Sequence, residues 1–304
     1  MINLNKNRKN LPAKLKRHTP WFFLVIVALN IAGCNLDKTI HTPPGYDITT
    51  PVKHNLGSKL DEISGICWIN DTLILANNDE SGRIFAINPS RMDNLEYPNI
   101  KFGIKDDYED IVKVDSAIYL LVATGKIVRV TGYTSDSTIQ MEVVATLAGK
   151  ENEFESLYYD KEVHSLVMLC KDCHKEKKIR SAYRFDLGTN TLIDTPYYQI
   201  QISEIEKAVG TGPDFRPSAA ALNPKDNKVY IVSAIGDLMV VINKKGKVLH
   251  AFKISPLMFA QPEGITFADN GDMYISNEIF SEPAATLLKF PYGKRVKPRP
   301  VEDD

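Results

Sequence analysis

The chain has 304 residues, with 37 basic against 38 acidic side chains and a formal charge of −1. That balance lacks the strongly basic footprint of a nucleic-acid binder, so no nucleic-acid partner is expected. The length suits one large β domain or two small ones.

The first 33 residues read as a secretory leader. Lys6, Arg8, Lys9, Lys14, Lys16 and Arg17 form a basic region without an acid, followed by the apolar run from Trp21 to Leu29. A positive region, a short apolar core and small residues before the cut are the parts of a signal peptide. The run, nine residues, is short of the ~20 that a spanning helix needs. Ile31-Ala32-Gly33-Cys34 closes it and resembles the lipobox of bacterial lipoproteins. The resemblance implies cleavage before Cys34 and lipid attachment to its thiol. Two acyl chains already give stable anchoring. The expected location is therefore the cell envelope, with the chain lipid-anchored to a bacterial membrane and facing the periplasm or exterior. Inner and outer membrane are both open. Loss of the leader's basic side chains leaves the mature protein more acidic, which favours cations as ligands. Residues 34–44 form a polar tether closed by Pro43 and Pro44, and 294–304 a charged, proline-bearing tail.

Between them, over 45–293, the chain copies itself. Ser64-Gly65-Ile66, Glu109-Asp110-Ile111, Glu155-Ser156-Leu157, Ser218-Ala219-Ala220 and Glu263-Gly264-Ile265 each open a strand. They recur at about 45 residues, with one longer interval between Glu155 and Ser218, and such a period marks propeller blades. β-branched and aromatic runs between turn residues predict strands at 63–69, 72–77, 83–88 and 96–102. The second unit gives 111–115, 117–123, 126–133 and 140–147, and the third 156–160, 165–170, 181–186 and 197–202. The fourth gives 218–222, 228–233, 238–243 and 247–254. The last offers only 264–268, 272–277 and 286–290, so its outer strand is expected from within Tyr46 to Leu56. Closing the ring with strands from both termini removes the open edges. The fold class is thus all-β: a β-propeller of five four-stranded antiparallel blades. A sixth, degenerate blade within 187–214 is the alternative. In the same insertion Ser203-Glu204-Ile205-Glu206 reads as a capped helix start.

First strands line the channel of a propeller, so Ser64, Glu109, Glu155, Ser218 and Glu263 are expected around one mouth. The ends of the second strands should rise beside them: Asn78-Asp79-Glu80, Lys171-Asp172, Ser233 and Asn277-Glu278. Facing carboxylates repel, and some protonate unless a positive charge joins them. A hard cation held by Glu109, Glu155, Glu263, Asp79, Glu80 and Glu278 is one solution, and calcium (Ca2+) tolerates a loose oxygen shell. The other is structural: these groups cap backbone amides or pair with Lys171 and Arg216.

Glu62-Ile-Ser-Gly-Ile66, Asn78-Asp-Glu80, Arg216-Pro-Ser-Ala219, Tyr230-Ile-Val-Ser233, Gln261-Pro-Glu-Gly-Ile265 and Tyr274-Ile-Ser-Asn-Glu278 follow in order. Together they resemble the SdiA-regulated family, which includes the YjiK proteins and calcium-regulated β-propeller proteins of the CarP type. The likeness runs over most of 45–293 and is strongest from Phe215 to Glu278. It implies a propeller, a cell-envelope location and, for one branch, a link to calcium. It supplies no established reaction. The lipobox departs from family members held by a transmembrane helix.

Cys67, in an apolar strand, reads as a small buried hydrophobe. Cys170-Lys171-Asp172-Cys173-His174 has the spacing of a haem-attachment motif, but it ends a strand in a lysine-rich hairpin. A local Cys170–Cys173 disulfide suits an oxidising compartment, and metal ligation or haem are the alternatives. No Gly-x-Ser-x-Gly, His-Glu-x-x-His or Walker loop occurs. Two functions follow: a non-enzymatic lipoprotein that binds a cation and an envelope partner or small molecule at the mouth, or a calcium-dependent phosphoesterase or lactonase using the same mouth. A pure scaffold is a third.

Overall fold

Runs of Val, Ile, Leu and Tyr between Asx and glycine turns form twenty strands among the described residues of the computed structural model. The structure describes residues 42–293 apart from 93–94, 134–137, 148–150, 211, 213 and 281–282. The leader, Cys34, most of the tether and the 294–304 tail lie outside the described residues.

The N-terminal strand is β1 (Val52–Asn55). Blade one is β2 (Ile63–Asn70), β3 (Leu73–Asn78), β4 (Arg83–Ile87) and β5 (Asn99–Lys101). Blade two is β6 (Tyr108–Val114), β7 (Ala117–Val122), β8 (Lys126–Thr131) and β9 (Gln140–Thr146). Blade three is β10 (Glu153–Asp160), β11 (Ser165–Asp172), β12 (Ile179–Asp186) and β13 (Thr191–Gln201). Blade four is β14 (Ala219–Leu222), β15 (Val229–Ser233), β16 (Leu238–Ile242) and β17 (Val248–Lys253). Blade five joins β18 (Pro262–Phe267), β19 (Met273–Asn277) and β20 (Thr286–Phe290) to β1, whose Val52 pairs antiparallel with Lys289.

Each blade is a separate four-stranded sheet in meander order. The innermost strands touch cyclically, β2 to β6, β6 to β10, β10 to β14, β14 to β18 and β18 to β2. The fold is therefore a five-bladed β-propeller, and the outer strand of the last blade comes from the N-terminal side. The extra residues between blades three and four do not form a sixth blade. They lengthen β13 and continue as α1 (Ile202–Val209), which packs on β17 through the buried Ile205. The expected Ser203 cap is not formed: the helix starts directly off β13, with Gln201 at the N-cap and no side-chain cap. Glu204 Oε2 instead accepts the Val248 amide at 2.9 Å, because the helix lies against that strand. Among the described residues no helix is long and apolar enough to cross a membrane.

The core consists of five wedges, one between each neighbouring pair of blades. In β11, Leu166, Met168 and Cys170 pack toward blade two, while Val167 and Leu169 pack toward blade four. Both faces of a blade are dry, so such strands read as nearly continuous apolar runs. Where β2 meets β6 near the axis, the strands approach too closely for a side chain at Gly65. A Cβ on Gly65 would lie 2.6 Å from Asp110 Cα and 2.7 Å from the Ile111 amide nitrogen. Gly65→Ala is expected to cost about 2–3 kcal/mol, because the obstacle is backbone and cannot rotate away. Urea unfolding measures it; a loss under about 0.5 kcal/mol would mean that the two strands slide apart freely.

Candidate functional site

The mouth residues stand on a repeated irregularity. Register shifts fall between Tyr108 and Asp110, Phe154 and Ser156, and Pro262 and Gly264, and between Ile63 and Ile66 in blade one. Glu109, Glu155 and Glu263 are thus the extra residues of β-bulges, and Ser64 lies within another. A bulge re-aims one side chain without breaking the strand, and such features gather at functional sites. Second strands return to the same end, as expected: the Asp79 amide donates to Glu62 O at 3.4 Å and the Glu278 amide to Gln261 O at 3.0 Å.

The structure brings Glu109, Glu155, Glu263 and Glu278 into one electrostatic group. Burial pushes Glu109 up to about 10, and Glu155, Asp107 and Glu263 add repulsion. Burial pushes Glu263 up to about 8, with Glu155 adding to it. Glu278 rises to about 8 through burial and its hydrogen bond with Glu62. Asp79 is raised by burial and by Glu62. Dry, like-charged carboxyls hold protons because desolvation penalises only the ionised form.

One cation answers these acids. Lys171 Nζ bonds Glu155 Oε1 and lies 3.4 Å from Glu153 Oε1. Burial acts to lower the Lys171 pKa, but Glu155, Glu153 and Glu263 outweigh it and keep the ammonium charged. Glu155 sits at about 7, raised by burial and opposed by Lys171. Its other oxygen, Oε2, is buried and has no hydrogen-bond partner, although the side chain is only 8% exposed. A buried carboxylate oxygen without a donor is costly to keep.

Other expected members serve elsewhere. Glu80 is exposed and pairs with Lys105 at 2.5 Å. Ser218 Oγ donates to Pro262 O at 2.7 Å, tying blade four to blade five. Ser233 Oγ donates to Arg216 O at 2.7 Å, and Asn277 Nδ2 donates to Thr286 Oγ1 at 2.9 Å. Arg216 sits on the rim with its Nε 3.1 Å from Asp214 Oδ2. Glu62, Asp107, Glu153 and Gln261 belong to the mouth but were not among the expected ligands. Gln261 Nε2 donates to Glu278 Oε2 at 2.5 Å. A signal for them was present: each stands two residues before Ser64, Glu109, Glu155 or Glu263.

Beside Glu155, Lys171 and Glu263 opens a cavity of about 570 Å³, which Ile235, Leu257 and Phe280 also line. Among the described residues no three His, Cys, Asp or Glu groups converge closely enough to hold a metal ion. The carboxyls sense one another without forming a ready oxygen shell, and Lys171 takes one oxygen of the central Glu155. The donor set does not fit a resident calcium in this arrangement.

On either side of Lys171 and Asp172 in the chain, Cys170 and Cys173 form a disulfide, buried in the wedge between blades two and three. In that state neither sulfur is a thiol. Cys67 is free and buried. His174, after the pair, is half-exposed and its Nδ1 pairs with Glu151.

No family model matches the chain, and no curated protein does. Among solved structures, the glutaminyl cyclase of Myxococcus xanthus is similar with a TM-score of 0.54 and 12% identity, covering 79% of this chain and 93% of that one. A glucose dehydrogenase gives 0.51 and 8%, covering 79% and 99%. The PQQ-bound aldose sugar dehydrogenase of Streptomyces coelicolor gives 0.50 and 10%, covering 82% and 99%. At these identities the likeness shows the fold alone.

Proposed function

We propose that this chain is a lipid-anchored extracytoplasmic propeller of the SdiA-regulated type that binds a cationic ligand at its channel mouth. The anchor rests on the basic leader, the short apolar run and Ile31-Ala32-Gly33-Cys34. The binding role rests on one observation: Glu155 Oε2 is buried without a donor, beside Glu263 and an open cavity. Lys171 is already committed to the other oxygen. An added positive charge satisfies that oxygen and makes ionisation of Glu155, Glu263 and Glu109 favourable, so binding releases protons. Calcium is the divalent member of the ligand class, and it enters only if Lys171 swings aside to free the carboxylate.

Isothermal titration of the purified full chain with calcium chloride and with methylammonium chloride, in two buffers of different ionisation heat, tests this. Binding of at least one of them with proton release is expected, and Glu155→Gln raises Kd by about tenfold or more. Neither cation binding the wild type, or equal affinity in the variant, would remove the mouth as a cation site. For the anchor, Cys34→Ser is expected to move the chain from the membrane fraction to the soluble fraction and to abolish incorporation of labelled fatty acid. Unchanged labelling would place the lipid elsewhere or remove it from the account.

A further inference from the structure

The mouth has an apolar half that a bare ion does not use. Leu257 is 85% exposed, Phe280 73% and Ile235 42%. They come from three connections, β17–β18, β19–β20 and β15–β16, yet all line the cavity that holds Glu155 and Glu263. Single exposed apolar residues are ordinary on a protein surface. Three large ones lining one cavity with a polar floor give it an apolar wall that a bare ion leaves uncovered. The cavity volume, about 570 Å³, falls in the range of small-molecule pockets and far exceeds what a lone ion needs.

We propose that the cation taken by this mouth is an organic ammonium with an apolar group of several carbons. Its N–H donors meet Glu155 Oε2 and Glu263, and its hydrocarbon covers Leu257, Phe280 and Ile235. This rests on the cation-site reading above and names the ligand class. The chemistry fits on three counts. An ammonium brings the donor that the orphaned Glu155 oxygen lacks. It needs no converging set of three metal ligands, which the described residues do not provide. It also leaves Lys171 in place on Glu155 Oε1, since two ammoniums can share one carboxylate through its two oxygens.

Titration of the full chain with methylammonium, butylammonium, hexylammonium, 1-hexanol and calcium tests the proposal. Affinity is expected to rise by about threefold for each methylene covered, so hexylammonium binds at least tenfold tighter than methylammonium. Hexanol, which lacks the charge, binds much more weakly than hexylammonium. Leu257→Ser with Phe280→Ser, both at exposed positions that the fold does not need, removes the gain with chain length. Glu155→Gln weakens every ammonium in the series. If methylammonium or calcium binds but chain length changes nothing, the apolar half is irrelevant and this proposal falls while the cation site stands. Hexanol binding as tightly as hexylammonium would also overturn it. If no cation binds at all, both fall together.

Discussion

Glu109→Gln is expected to raise the stability of this propeller at pH 8 and to leave it unchanged at pH 4. The Glu109 carboxyl is pushed from the ordinary 4.5 up to about 10, first by burial and then by Glu155, Asp107 and Glu263, with Lys171 opposing. A raised acid binds more protons in the folded chain than in the unfolded one. Its contribution is therefore fully present below pH ~4.5 and is lost progressively as pH rises toward 10. At pH 8 the unfolded state gains by ionising while the folded state holds its proton. Each pH unit of that mismatch costs about 1.4 kcal/mol at most. Screening by water in the channel reduces the total, leaving about 2–3 kcal/mol at pH 8. Glutamine has the shape of the protonated acid and no proton to lose, so the variant escapes the cost. Thermal unfolding at the two pH values is the measurement. A lower midpoint for the variant at pH 8 would show Glu109 ionised and paired in the folded protein. Keeping a destabilising carboxyl at the axis is the expected signature of a residue retained for binding.

The fold was legible because the repeat lies in the backbone pattern. A small or acidic residue followed by an aliphatic one opens each inner strand, and Asx and glycine turns separate the rest. The missing strand of the last blade was also readable, since only three runs follow Gln261. The strand starts were placed too late. The sequence pattern starts them at 111, 156 and 264, whereas they begin at Tyr108, Glu153 and Pro262. Polar residues such as Glu109 and Glu155 look like loop, and the bulge at each one breaks the alternation that would have marked strand. The mouth itself was half readable. The repeat positions single out the three inner glutamates and Glu278, and Lys171 as one candidate partner, but not Glu62, Asp107, Glu153 and Gln261 beside them. Gathering carboxylates by topology predicts repulsion, which either a metal or a neighbouring basic side chain can answer. The other reading, pairing with Lys171 or Arg216, was open as well, and side-chain geometry is what puts Lys171, on the neighbouring strand, on Glu155. Glu80 shows the opposite error: it sits beside Asp79 in sequence, yet it points outward to Lys105. The apolar rim was invisible from sequence because Ile235, Leu257 and Phe280 lie in three separate connections without a shared pattern.

Asp110→Ala is expected to cost about 4 kcal/mol, the largest loss for a single change near the axis. Asp110 occupies the repeat position taken by Gly65, Ser156, Ala219 and Gly264 in the other blades. It is 4% exposed and accepts two backbone donors, Ile111 N at 2.8 Å and Leu157 N at 2.7 Å. The second bond crosses from blade two to blade three, within two residues of Glu155. Burial pushes the Asp110 carboxyl well above the ordinary range, and those two amides oppose it. Alanine leaves both amides without an acceptor in a dry wedge, at about 1–3 kcal/mol each, and opens a small void as well. Asp110→Asn keeps one acceptor oxygen and loses about half as much. Urea unfolding of both variants orders them. An alanine cost below about 1 kcal/mol would mean that water reaches these amides. The asparagine variant also separates support from binding. Its chain stays folded, but with the amide oxygen kept on Ile111 N the bond from Leu157 N of β10 is lost, so the bulge that aims Glu155 is held less firmly. Cation affinity should then fall although Asp110 never touches the ligand. Undiminished affinity would show that β10 carries Glu155 in place unaided, leaving Asp110 a part in the ring and none in the mouth.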